Sequence, residues 1–192
     1  MSLRSRRRAR SEAATRDWVR SLVRSGLGTT DEVRAQVADA IAHDHPWLDA
    51  GQCARTWTTQ AEQQWRSDAA GWARPTDHDR LQDAFAELEH RGFAVLQGCA
   101  DHWSAHAELD RRGALVRGVV WFVPTDVWHA IDAGMLELNV WHPDGANAAE
   151  GEPLLAEVIE VLGDAGLRAH FDEGRVEVSA FWHRLPPRPA GD

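Results

Sequence analysis

One cysteine and three histidines in the middle of the chain have the residue types and spacing to hold a metal: His78, then Cys99, His102 and His106. Cys99-x-x-His102-x-x-x-His106 sets the two imidazoles four residues apart, so a helix would carry them on one face. Zinc accepts thiolate and imidazole alike, and four such ligands close a tetrahedral shell. His78 completes that shell only if the fold brings it to the other three, because structural sites ordinarily use two separated pairs of ligands. The competing reading is a small buried thiol beside solvated histidines.

Three Trp-His pairs form a second set: Trp128-His129, Trp141-His142 and Trp182-His183. On a strand the two side chains of each pair point to opposite faces, and indole in with imidazole out is the ordinary arrangement. The reverse would expose indoles beside histidines and mark a binding face. Asp126, Trp128, His129 and Trp141 are the residues expected to line it. His43-Asp44-His45 could chelate, but the following Pro46 marks a plain loop. There is no nucleophile elbow, phosphate loop or dinucleotide fingerprint, and Ser104 and Ser179 have no motif context, so no catalytic residue is assigned.

Helices and strands must position these groups. Trp18, Val19, Leu22 and Val23 recur at helical spacing, and Val33, Val37, Ala40 and Ile41 repeat the pattern after a Gly28-Thr29-Thr30 break. A third helix is predicted over about 52–71, with Trp57, Ala61, Trp65 and Trp72 along one side. Thr76 is an N-cap type of residue ahead of the stripe Leu81, Ala84, Phe85 and Leu88, with Asp77 and Asp79 at the positive end of the helix dipole. Phe93 to Leu96 begins a sheet. The segment from Leu115 to Val123 contains Val119-Val120-Trp121-Phe122-Val123, apolar on both faces, which suits a central strand covered on both sides. Leu136, Leu138 and Val140 alternate with polar neighbours as a strand with one buried face. Leu154 to Leu162 forms a helix that lies on the sheet. Ala169 to Phe171, Glu173-Gly174 and then Val176, Val178, Ala180 and Trp182 read as a hairpin, and Arg184-Leu185-Pro186-Pro187 as the end of order.

Charge narrows the choice of partners. All 21 basic residues are arginine, against 30 acids, for a net charge of −9. Residues 1–10 carry five arginines and no acid, so the rest of the chain stands at 16 against 30, a balance of −14. An acidic body repels nucleic acid, and contact through phosphate neutralisation is confined to that basic arm, whose ordinary reading is a solvated tail. No apolar run approaches the roughly 20 residues of a membrane span, and the two cysteines, Cys53 and Cys99, lie far apart, so a cytoplasmic protein is expected. Ten tryptophans and no tyrosine make indole the expected main filler of the core.

The stretches Trp72-Ala-Arg-Pro-Thr-Asp-His-Asp-Arg-Leu, Ala86-Glu-Leu-Glu-His-Arg-Gly-Phe, Val120-Trp-Phe-Val-Pro-Thr-Asp, Ala165-Gly-Leu and Val176-Glu-Val-Ser-Ala-Phe-Trp-His-Arg resemble an uncharacterised domain family of unknown function common in actinobacteria. The resemblance covers about residues 14–184. It implies a cysteine where His78 stands, a Cys-Cys-x-x-Cys cluster where Cys99 to His102 falls, and a His-x-Gln-Asp-Thr-Glu stretch after the central strand. Asp126 matches that last motif, whereas Val123, Thr125, Val127 and Trp128 replace its polar members. Exchange of cysteine for histidine keeps metal-binding capacity.

These readings give an α+β protein: N-terminal helices followed by a largely antiparallel sheet of about five strands with helices packed on it. Its expected parts are a disordered basic arm over 1–12, a helical region over 13–72, the α+β domain over 73–185 and a disordered tail over 186–192. The expected function is non-catalytic binding of a protein or small-molecule partner, with a structural zinc as its one candidate cofactor. The rival is a metal-dependent enzyme using His78, Cys99, His102 and His106, with Asp126 as a nearby acid or base.

Overall fold

The structure is a computed structural model and describes residues 3–112 and 116–187. Four helices come first: α1 (Leu3–Ser25), α2 (Thr30–Asp44), α3 (Ala50–Ala69) and α4 (Asp77–His90). Then follow β1 (Phe93–Leu96), α5 (His102–Arg112), β2 (Gly118–Trp121), α6 (Pro124–Asp132), β3 (Met135–Trp141), α7 (Pro153–Asp164), β4 (Arg168–Asp172) and β5 (Arg175–Ser179). The chain is therefore α+β. It divides into two compact units, Met1–Trp72 with Arg184–Asp192, and Ala73–His183.

In the helical unit α1, α2 and α3 pack on one another. Val19, Val23, Val33, Val37, Ile41, Ala54, Trp57, Ala61 and Trp65 form its core. Burying each large apolar side chain of this kind stabilises by about 1.5–3 kcal/mol. Local chemistry sets the helix starts. The Thr29 hydroxyl accepts from the Glu32 amide at 3.3 Å, and the Glu32 carboxylate accepts from the Thr29 amide at 2.8 Å, a reciprocal capping box. Asp49 caps α3 by accepting from the Gln52 amide at 2.8 Å.

Two stretches of this unit differ from the sequence expectation. Helix α1 takes in residues 3–12 of the stretch read as a disordered arm, since arginine and alanine are strong helix formers. The Arg8 guanidinium lies 4.4 Å over the Trp47 ring, and the Trp47 indole donates to Glu12 at 3.2 Å. Arg16 over Trp57 at 4.4 Å and Arg24 over Trp72 at 5.8 Å repeat the contact along the helix. Arg184–Pro187, read as the end of order, is held by hydrogen bonds. The Trp65 indole donates to the Arg184 carbonyl at 2.8 Å and Arg66 donates to the Pro187 carbonyl at 2.9 Å. The Arg184 guanidinium donates to the carbonyls of Ser25 and Gly26.

The second unit is a five-stranded sheet in the order β1-β2-β3-β5-β4. Only the β1–β2 pair is parallel, joined through α5; β2–β3, β3–β5 and β5–β4 are antiparallel. A capping box of Thr76 and Asp79 starts α4. The strands β1 and β2 are buried along their whole length, as a strand covered on both faces requires. Ala105 and Leu109 of α5 pack with Ala94, Leu96, Val119, Trp121 and Trp141 on one face. On the other, Phe85 of α4 stacks on Phe122 at 6.1 Å, and α7 packs on α4 and β4. Glu173 and Gly174, with φ of 43° and 91°, make the turn that joins β4 to β5.

The element not anticipated is α6. The run read as strand through Val123 stops at Trp121, because Pro124 cannot extend the ladder and sits well at the first position of a helix. Leu115, the expected start of that strand, lies outside the described residues. No helix among the described residues is long and apolar enough to cross a membrane.

Candidate functional site

The four expected metal ligands all belong to the sheet unit, and each is engaged separately. His78, in the first turn of α4, packs edge-on against Trp182 at 4.7 Å between ring centroids, and its Nε2 is 3.5 Å from the Gln82 amide nitrogen. Cys99, just past β1, donates weakly through Sγ to the Leu96 carbonyl at 3.9 Å. Burial pushes its thiol above the ordinary range, with the charges of Glu108 and Asp101 adding to the effect. His102 is exposed at the start of α5, its ring 4.5 Å from that of Trp103, while His106 stacks at 4.3 Å on Trp141. Among the described residues no group of three or more His, Cys, Asp or Glu side chains is placed to hold a metal ion. His102 and His106 both lie on α5, four residues apart as expected, but their rings meet different partners. Trp141 stacks on the His106 ring, and Trp103 lies at a tilt against the His102 ring.

The expected binding set is likewise dispersed. Trp141 is 5 % exposed, enclosed by His106 and by Trp121 at 4.6 Å, so it presents no indole to a partner. Trp128 and His129 lie on α6 rather than on a strand, so the alternation of faces does not apply to them. His129 is exposed, and the Trp128 indole N–H is buried without an acceptor among the described residues. Asp126 is buried at 5 % exposure and accepts from the Val123 amide at 2.8 Å, which caps α6. Arg175 bonds Glu137 and stands 3.8 Å from Asp126. Burial raises the Asp126 carboxyl above the ordinary aspartate range, opposed by the Val123 amide and Arg175. A single buried carboxyl that caps its own helix has a complete structural role.

A concave site lies elsewhere, inside the helical unit, where a cavity of about 280 Å³ opens between α1, the start of α2, α3 and the returning segment at Arg184. Val23, Val33 and Trp65 give it an apolar lining, and Thr29, Thr58, Glu62, Arg66 and Arg184 bring polar groups to it. Thr58 spends its proton on the Ala54 carbonyl at 2.8 Å, and the Trp65 indole N–H is committed to the Arg184 carbonyl. Glu62 and Arg184 are half-buried, and among the described residues neither has an oppositely charged side chain within ion-pair distance. Burial alone draws the Arg184 guanidinium below its ordinary range.

None of these cavity residues stands out in the sequence. Trp65 reads as core and Arg184 as the end of order, and Glu62 and Arg66 carry no reading of their own. Arg66 turns to the Pro187 carbonyl, and only the return of the chain to the helices makes Arg184 part of a wall.

Comparison with known proteins finds a match to the family model Domain of unknown function (DUF6891) over residues 8–185. No curated protein and no solved structure matches the chain.

Proposed function

We propose that this chain, which belongs to the DUF6891 family, is a non-catalytic binding protein that holds a small molecule in the cavity of its helical unit. The observation that carries this reading is the cavity itself. About 280 Å³ falls at the small end of the roughly 300–1,000 Å³ usual for small-molecule sites, so its ligand is a compact metabolite rather than a dinucleotide. An apolar lining with a few convergent polar groups is the ordinary make-up of such sites. Its groups hold rather than react. A guanidinium stays protonated at neutral pH, the Thr58 hydroxyl faces a carbonyl, and the Thr29 hydroxyl, which donates to the Glu32 carboxylate at 2.8 Å, belongs to the cap of α2.

The test is equilibrium dialysis of the full chain against a defined mixture of amino acids, organic acids, sugar phosphates and nucleobases, with retained compounds identified by mass spectrometry. Gly28→Trp serves as a plug. Gly28 lines the cavity, and the atoms nearest a Cβ there belong to the Glu32 and Val33 side chains, at an ordinary 3.6 Å. At least one compound retained by the wild type and released by the plugged variant is expected. Retention of nothing, or equal retention by both proteins, would refute the proposal.

A further inference from the structure

We infer that the ligand of the helical-unit cavity is a zwitterion, a free apolar α-amino acid whose carboxylate meets Arg184 and whose ammonium meets Glu62. The inference rests on the cavity being the binding site. Three charged side chains line it: Arg66 is exposed and donates to the Pro187 carbonyl, whereas Glu62 and Arg184 are the half-buried pair that the protein leaves without counter-ions. A half-buried charge without a counter-ion is costly, and chains usually neutralise it internally. Glu62 has an arginine four residues on, the favourable Glu-to-Arg order on a helix, yet Arg66 donates to the Pro187 carbonyl. Arg184 spends Nη1 on the Ser25 and Gly26 carbonyls, and among the described residues nothing accepts from its Nε or Nη2. Glu62 and Arg184 also do not pair with each other, although they line one cavity.

Simpler ligands fit less well. A lone anion would satisfy Arg184 and face the Glu62 carboxylate; a lone cation would do the reverse. A molecule carrying both charges a few bonds apart satisfies both walls, and charge-assisted hydrogen bonds of that kind are about twice as strong as neutral ones. The remaining surface decides the side chain. Trp65 offers only ring carbons because its N–H is already bonded, and Val23 and Val33 offer methyl groups, so the body of the ligand is aliphatic or aromatic rather than charged. The volume of about 280 Å³ holds a single amino acid and excludes longer peptides.

Calorimetric titration of the full chain with valine, leucine, isoleucine, methionine and phenylalanine tests this directly. For the best of the five, two analogues lacking one charge are compared; for leucine these are 4-methylpentanoate and 3-methylbutylamine. The amino acid is expected to bind at least tenfold tighter than either analogue. Glu62→Gln, which keeps shape and removes charge, should weaken the amino acid at least tenfold and leave the carboxylate analogue unchanged or tighter. An analogue that matches the amino acid, indifference to Glu62→Gln, or failure of all five overturns the zwitterion inference. If the dialysis nonetheless retains another compound that Gly28→Trp releases, the binding function stands; if it retains nothing, both fall together.

Discussion

Gly26 offers the sharpest test of how the helical unit is closed. It has φ +59°, a left-handed conformation that costs a residue with a Cβ about 1–2 kcal/mol. A Cβ built there would also overlap the Arg184 guanidinium, which donates to the carbonyls of Ser25 and Gly26. Hydrogen bonds from a charged donor contribute about 1.5–3 kcal/mol each. Arg184 is only half-buried, so water recovers much of that when the guanidinium is displaced, leaving a loss of about 1–2 kcal/mol. Gly26→Ala should therefore cost about 2–4 kcal/mol in all. Gly151→Ala is the control, because Gly151 has φ +83° and nothing within 4 Å of a Cβ, so only the backbone cost of about 1–2 kcal/mol applies. Urea unfolding followed by circular dichroism gives both values, and hydrogen exchange at the C-terminal turn of α1 localises the first. In an Arg184→Ala background the Gly26→Ala cost should fall to that of the control. An equal penalty with and without Arg184 would refute the closure by this contact.

Two further outcomes are expected. Because burial raises the Asp126 carboxyl, the folded state favours its protonated form. Its contribution to stability is present below the ordinary aspartate value of about 3.9 and is lost as pH rises through the raised value. Asp126→Asn keeps an acceptor for the Val123 amide, so its stability relative to wild type should improve with rising pH in that window; parallel stability-pH curves would contradict the assignment. Zinc analysis of protein purified without chelator should give well below one metal per chain, unchanged in Cys99→Ser, His102→Ala, since those side chains are engaged apart. One zinc per chain that vanishes in the double variant would mean the ligands do come together.

Much of the fold is legible in short-range signals. Thr76 with Asp79, Thr29 with Glu32, the alternation of Leu136, Leu138 and Val140, and the Glu173-Gly174 turn each act within a few residues, over the range where propensity and capping operate. Helix α6 carried its signals too, in Pro124 and Asp126, but the apolar run before it continues the pattern of a strand.

Side-chain meetings at long range were not legible. Spacing places His102 and His106 on one helix but cannot foresee that Trp141, from a strand three elements later, takes one imidazole while Trp103 takes the other. Nor does anything in Arg184-Leu185-Pro186-Pro187 announce that its first residue crosses back to Gly26, or that Arg66 leaves Glu62 for a proline carbonyl. The amino-acid sequence by itself determined the elements and their buried faces, because these follow from each residue's neighbours along the chain. The cavity with its two half-buried charges, Glu62 and Arg184, was decided only by tertiary structure, because its walls come from segments more than a hundred residues apart whose pairing is a property of packing, not of spacing.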